Sequence, residues 1–372
     1  MELTEELIEE IFFRVPPDEP AYLVRAALVC KSWRRILCDR GFLRRYRVFH
    51  SRTPPLLGYL HNLYFQGPIP RFVRTSAASP FTTPPSLVHN KSWRALDCRH
   101  GRVLARTLKH DDRLVVWDPM TGDQKHLSVP AYPNGQSYNG AVLCAAAVSK
   151  DDDPDGCCDH LGCCPFVVVF IVADADRTVR ASVYSSETNA WSAPSPCVHV
   201  DHLFDDRPSL LAGGALHFAI VGGKTIVKYN LVGHRLLLPA DFALDMVMTR
   251  TKDGGLGFVA VVGGCVYLWT RTQPTGGWVQ HKATEDLDAL LPKRYRRRPN
   301  YLWREVIGLM EGTDTIFINT AAGIFALDLK SRQARIVGDT DETYNPILPY
   351  VSFYTPGRRI YEYSVLLIRC KW

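Results

Sequence analysis

The chain lacks a run of apolar residues long enough to cross a membrane as a helix. Its apolar stretch 165–173 is ended by Asp174, well short of the ~18 consecutive apolar residues that a span requires. It also lacks the basic start of a secretory leader, because Glu2, Glu5, Glu6, Glu9 and Glu10 make the first residues acidic. Charge of one sign is scarce. Lys and Arg number 44 against 38 Asp and Glu, a formal net charge of +6, too weak and too dispersed to argue for nucleic acid as a partner. No Gly-x-Ser-x-Gly, Walker-type loop, Rossmann fingerprint or His-Glu-x-x-His occurs, and no motif calls for a cofactor. Catalytic groups that converge from distant positions are not excluded by this. The eleven cysteines are an odd number and, without a leader, read as reduced thiols of a cytosolic or nuclear protein.

What is present is ordinary globular material. Apolar residues make up 46% and charged residues 22% of 372 positions, enough for two or three domains with cores of their own. The first fifty residues differ from the rest. Leu3, Leu7, Ile8, Ile11, Phe12 and Val15 recur at helical spacing and predict one broad apolar stripe. Thr4 is placed to cap that helix, and Pro16-Pro17 stops it. A second helix opens at Asp18 or Pro20 with Leu23, Ala26, Ala27 and Cys30 inward. Trp33, Ile36 and Leu37 carry the apolar face into a third, while Arg25, Lys31, Arg34 and Arg35 take the solvated side. On pattern alone this is a small helical cap. Its apolar positions exceed what one face of so small a unit can bury, which points to a partner.

The segments Leu3-Thr4-Glu5-Glu6-Leu7-Ile8-Glu9-Glu10-Ile11 and Leu28-Val29-Cys30-Lys31-Ser32-Trp33-Arg34, followed by Asp39 and Phe42, carry a resemblance. Residues 2 to about 48 resemble an F-box domain, with Thr4 where that family usually has Pro. The resemblance implies docking on the Skp-type adaptor of a cullin-based ubiquitin ligase. By position, Leu3, Leu7, Ile8, Ile11, Leu23, Val29, Cys30 and Trp33 would supply the interface and the adjoining small core. Helix-in-groove recognition of this kind works by withdrawing apolar side chains from water together. Trp33 is the expected anchor, since aromatic residues dominate interface hot spots.

Residues 51–85 are rich in Pro, Ser, Thr and Gly and read as a connector lying along the body, because prolines at 54, 55, 68, 70, 80, 84 and 85 oppose regular structure. Within it, His61-Asn62-Leu63-Tyr64-Phe65-Gln66-Gly67 looks like a protease-cleavage scar, but its flanks read as natural chain. From 86 to 372 a loose unit recurs: an apolar strand, a turn rich in Thr, Gly, Asn or Asp, and a return strand. With Trp117, Tyr184, Tyr229, Trp269 and Leu327 as equivalents, the steps are 67, 45, 40 and 58 residues. A period near ~40–50 suits a β-propeller blade of four short strands, with loop insertions in the two long steps. The expected architecture is a small all-α F-box module (1–50), a Pro-rich linker (51–85) and an all-β propeller of about six blades (86–372). The body is similar to the kelch-like propellers that follow F-boxes in plant proteins, chiefly through the turn Asp118-Pro119-Met120-Thr121-Gly122. Residues 86–110, 352–354 or 363–368 are candidates to close the ring. A pair of β-sandwiches is the competing architecture.

Few residues suggest chemistry. Cys157, Cys158, His160, Cys163 and Cys164 are the one metal-like cluster, but their vicinal pairs do not match a zinc framework. They read as a surface insertion behind an acidic loop at 151–156. The basic run 293–298 reads as an exposed loop or a nuclear signal. Asp201-His202 with Asp205-Asp206 reads as loop polarity. Tyr132, Tyr138, Trp191, Trp278 and Trp303 are equally candidates for target contact and for blade core.

The function expected is therefore that of a non-catalytic substrate receptor in a Skp–cullin–F-box ubiquitin ligase. It would bind the adaptor, and through it a cullin, with the F-box, and a target protein with the propeller. The alternative is a propeller enzyme or glycan-binding protein with a helical cap. That alternative predicts a deep polar pocket at the ring's centre with converging carboxylates, His or a metal.

Overall fold

In a computed structural model the described residues are 4–50, 54–62, 70–75, 93–107, 112–119, 122–132, 135–145, 164–222, 225–237, 246–271, 277–284, 286–291, 304–339 and 346–353. Four helices come first: α1 (Glu5–Phe13), α2 (Pro20–Val29), α3 (Lys31–Leu37) and α4 (Arg40–Phe49). The starts of α2, α3 and α4 each have a local cause. Pro20 occupies the first turn of α2, where its missing N–H costs nothing. The Sγ of Cys30 accepts the Trp33 N–H at the start of α3, and Asp39 accepts the Phe42 N–H at 2.8 Å at the start of α4. Thr4 stands at the N-cap of α1, but its side chain makes no capping bond. Ile8, Phe12, Leu23, Ala27, Ile36, Leu37, Phe42, Leu43 and Tyr46 form the shared core of the module. The Tyr46 hydroxyl donates to the Val15 carbonyl at 2.7 Å and ties α4 to the end of α1.

The remainder is a ring of six antiparallel sheets. Blade 1 combines β1 (Leu56–Asn62) and β2 (Pro70–Arg74) with β24 (Ile347–Val351) in the order β2-β1-β24. Blade 2 holds β3 (Trp93–Arg99), β4 (Arg102–Thr107), β5 (Arg113–Trp117) and β6 (Gln124–Ser128). Blade 3 holds β7 (Gly135–Cys144), β8 (Phe166–Asp174), β9 (Thr178–Ser185), β10 (Ala190–Trp191) and β11 (Val198–His199). Blade 4 holds β12 (Leu210–Ala212), β13 (Ala215–Ala219), β14 (Ile226–Asn230) and β15 (Arg235–Leu237). Blade 5 holds β16 (Val247–Arg250), β17 (Leu256–Val262), β18 (Cys265–Arg271) and β19 (Trp278–Lys282). A one-turn helix, α5 (Leu287–Leu290), leads to blade 6, which holds β20 (Arg304–Leu309), β21 (Thr315–Thr320), β22 (Gly323–Asp328) and β23 (Gln333–Gly338).

Six hydrophobic clusters, each shared by two neighbouring blades, run round the circle and return to blade 1. The apolar runs in the strands follow from this. In β5, Val115 and Trp117 face blade 1 while Leu114 and Val116 face blade 3. A strand buried on both faces loses the polar alternation of a half-exposed one. The β-sandwich alternative is thereby set aside.

Trp117, Tyr184, Tyr229, Trp269 and Leu327 all fall on the third strand of their blades. The two long steps contain the 145–165 connection between β7 and β8 and the 283–303 connection between β19 and β20. The linker reading is corrected in part. Residues 56–62 and 70–74 are blade 1, not connector, and β1 is buried along its whole length. Ring closure is made by residues 347–351, since β1 pairs with β24 from Leu56↔Val351 to His61↔Ile347. Asn62, in the segment that looks like a cleavage scar, exchanges two hydrogen bonds (2.8 and 3.1 Å) with the backbone of Ala95 in blade 2. It is an integral part of the fold.

The two parts meet where the chain leaves β24. Phe353 packs on the helical core, with its ring 6.4 Å from that of Tyr46.

Candidate functional site

Two places stand out: an apolar surface on the helices and a polar centre in the ring.

On α1 the predicted single stripe is split. Ile8 and Phe12 are buried, whereas Leu7 and Ile11 are 52% and 51% exposed. On α2 the division repeats. Leu23, Val24 and Ala27 are buried, and Tyr22, Leu28 and Val29 are exposed, Val29 by 64%. Cys30 is also exposed, which corrects its inward assignment. Trp33 is half-buried, its ring edge-on to Phe12 at 5.3 Å. Leu3 lies outside the described residues. The candidate set thus separates into core (Ile8, Leu23), surface (Leu7, Ile11, Val29, Cys30) and a Trp33 that belongs to both. Large apolar side chains left exposed on two helices of one small module are the kind of surface that marks an interaction site. Ion pairs tie the charged side of α1 to its neighbours: Glu9 to Arg45 of α4 at 2.6 Å and Glu5 to Arg35 of α3.

The ring's centre is filled by arginines. Arg99, at the end of β3, is 6% exposed. It donates to Asp97 at 2.6 Å, to the Ser209 hydroxyl at 3.0 Å, to the Ser209 carbonyl, and through two nitrogens to Glu311 at 2.6 and 2.7 Å. One guanidinium therefore clamps blades 2, 4 and 6. Asp97 turns its other oxygen to the Val142 N–H of blade 3 at 2.7 Å. Burial pushes the Asp97 carboxyl up to about 6, partly offset by Arg99. Burial would also raise Glu311, but the Arg99 guanidinium outweighs it and holds Glu311 below the usual range.

A second layer lies alongside. Arg94 pairs with Asp206 at 2.7 Å, and Arg207 reaches Glu305 at 3.1 Å and Asp205 at 3.9 Å. Asn139 donates to the carbonyls of Asp205 and Arg207 at 3.2 and 2.9 Å. Asp205 and Asp206 are therefore central ion-pair partners rather than loop polarity, while His202 is exposed. The alternative reading expected converging carboxylates, and they do converge. Each of the five, however, has an arginine within 4 Å. Sequence reasoning missed this centre, and its one local signal is Asp97-Cys98-Arg99, two opposite charges two residues apart on the same face of a strand.

The remaining candidates are placed as follows. Tyr132, Tyr138 and Trp191 pack on the core between blades 2 and 3, and Trp278 on that between blades 4 and 5. Arg106 lies over the Tyr138 ring at 3.9 Å. Trp303, Cys157, Cys158, His160, Cys163 and the run 293–298 lie outside the described residues. Cys164 is described, and its carbonyl accepts from Arg102 at 2.7 Å. Among the described residues no group of three His, Cys, Asp or Glu is placed to hold a metal ion, and no helix is long and apolar enough to cross a membrane.

A cleft of about 1000 Å³ opens beside Arg99. It is bounded by the β3–β4 and β20–β21 turns, the turn after β16, strand β18 and, from the helical module, Arg44, Arg47 and Val48 of α4.

The F-box domain family matches residues 1–45. No curated protein matches the chain. Among solved structures, a chain of the Nidogen/Laminin complex is similar at 9% identity, covering 78% of this chain and 96% of its own, with a TM-score of 0.42. TolB from Acinetobacter baumannii is similar at 11% identity, covering 82% and 68%, with a TM-score of 0.40. The WD40 domain of SCAP from fission yeast is similar at 15% identity, covering 66% and 54%, with a TM-score of 0.35. At such scores these likenesses bear on neither site.

Proposed function

We propose that this chain, an F-box domain followed by a six-blade β-propeller, is the substrate receptor of a Skp–cullin–F-box ubiquitin ligase. The observation that carries the reading is the exposed apolar set Leu7, Ile11, Leu28 and Val29 on an F-box module whose core is complete without them. Docked on a Skp-type adaptor, these half-exposed side chains would leave water together, each contributing roughly 1–1.5 kcal/mol from the area still to be buried. Trp33, half-buried against Phe12, belongs to the core edge beside them. The propeller then holds a target protein close to the ubiquitin-carrying enzyme, and the chain itself breaks no bond. Its contribution is effective concentration. We place this activity in the cytosol or nucleus and assign the propeller to the kelch-like, plant-type class.

The propeller-enzyme reading is disfavoured because the one central carboxyl raised to about 6, Asp97, is buried with both oxygens already engaged by Arg99 and the Val142 N–H, whereas a general base needs a carboxylate within reach of a substrate proton. The test is a pull-down of purified Skp-type adaptor with the full chain and with Leu7→Asp/Ile11→Asp. Binding by wild type and its loss in the variant, with both circular dichroism spectra alike, is the expected result. A folded wild-type chain that leaves the adaptor in solution overturns the proposal.

A further inference from the structure

We propose that the cleft between α4 and the propeller is a docking site for an acidic peptide segment with interspersed apolar residues, carried by the target protein. The inference rests on the receptor reading above and adds to it the place and chemistry of target recognition.

Charge is the first argument. Arg44, Arg47, Arg250, Lys252 and Arg271 line the cleft. Outside the central ion pairs, only two carboxylates, Asp253 and Asp314, line it among the described residues. The central arginines do not add to this surplus, because Arg99 is committed to Asp97 and Glu311, and Arg207 to Glu305. Arg44, Arg250, Lys252 and Arg271 are exposed, so an incoming anion meets them without first displacing buried structure. A concave surface lined by one sign of charge concentrates ligands of the other.

Shape is the second argument. The lining extends from Arg99 at the ring's centre to Trp269 on β18 and His281 on β19. Crossing from β16 to β19 covers three strand spacings of ~4.8 Å, about 14 Å. The volume is at the upper limit of the ~300–1,000 Å³ typical of small-molecule pockets, and an extended chain fits such a trough better than a compact ligand does. Exposed Val48 of α4 stands among the cations, and Leu268 and Trp269 show the cleft the edges that their inter-blade packing leaves open, so acidic residues alone would leave apolar surface uncovered.

The lining comes from both the helical module and the ring. A bound segment would therefore touch the part that docks the adaptor and the part that holds the target.

The experiment uses the full chain bound to a Skp-type adaptor and a random dodecapeptide library displayed on phage. Selection is run on wild type, on Arg250→Glu/Lys252→Glu and on Arg44→Glu. The expected result is enrichment of peptides rich in Asp and Glu with apolar residues between them. Synthetic copies should bind at least tenfold more weakly to either variant, and more weakly as salt is raised. No enrichment of acidic peptides, or enrichment that both variants retain, overturns the proposal. Adaptor binding by the same preparations separates the two readings. Retained adaptor binding with no acidic selection sinks the cleft alone. Acidic selection by a chain that does not bind the adaptor sinks the receptor assignment alone.

Discussion

The helical module and the propeller handle apolar and charged side chains in opposite ways. The propeller closes on itself. Its six inter-blade clusters bury the facing sides of neighbouring blades, exposed apolar residues (Val221, Val232, Leu237, Val262, Val279 and Ile336) are distributed over blades 4 to 6, and its central charges pair with one another. The module does not close. It buries one half of each amphipathic helix and leaves Leu7, Ile11, Leu28 and Val29 outside. The difference shows where assembly energy is stored. In the ring most of it goes into folding, whereas in the module part of it is left for the adaptor docking proposed above.

The comparison can be broken most severely at Arg99. Arg99→Ala leaves the Asp97 carboxyl buried without its cation, and the expected loss is about 3–5 kcal/mol, read as a lower urea midpoint of the propeller. Arg99→Met combined with Asp97→Asn should recover most of it, and a small effect of the single change would show the clamp to be dispensable.

The seam of the ring comes next. Gly58 of β1 faces β2, where an added Cβ would lie 2.7 Å from the Val73 carbonyl oxygen. That contact is with backbone, which cannot step aside as a side chain can. Gly58→Ala is expected to cost about 1–3 kcal/mol by overpacking and to expose blade 1 to limited proteolysis. An unchanged denaturation midpoint would mean that blade 1 is loosely held.

Acid sharpens the comparison further. His217, buried in blade 4, is pushed down to about 4 by burial and by Lys228. The unfolded chain takes a proton near 6.5 that the folded chain refuses. The stability this residue contributes is therefore complete above pH 6.5 and is lost as pH falls toward 4. Asp97 acts in the reverse sense. Its folded value of about 6 exceeds the unfolded 3.8, so its contribution is complete below 3.8 and declines as pH rises through 6. His217→Gln should flatten the acid side of a stability–pH profile, and an identical slope would refute the assignment.

The smallest effect is expected on the module. Ile11→Asp, at a half-exposed site, should change folding stability by no more than about 0.5 kcal/mol while abolishing adaptor capture. A large loss of stability would mean that Ile11 belongs to the core.

Much of this fold could be read from residues. Some third strands were visible because a strand buried on both faces shows as an unbroken apolar run, as in Leu114-Val115-Val116-Trp117 and Ile324-Phe325-Ala326-Leu327, while others showed through the turn that follows them. The helical motif was visible through the spacing of Leu7, Ile8, Leu23 and Trp33. Blade 1 was not visible. Its prolines suggest a connector, and its third strand comes from residues 347–351, a pairing that no local pattern announces. The clamp was hidden for the same reason, since Arg99 and Glu311 lie 212 positions apart. Spacing showed an apolar stripe on α1, but not that Ile8 and Phe12 would turn inward while Leu7 and Ile11 stayed in water. That division depends on where α3 and α4 pack.

The most direct measurement is backbone hydrogen exchange of the full chain with and without purified Skp-type adaptor. The account predicts new protection in residues 5–13 and 20–29, with the propeller strands unchanged. Protection confined to the propeller, or none at all at saturating adaptor, would contradict it.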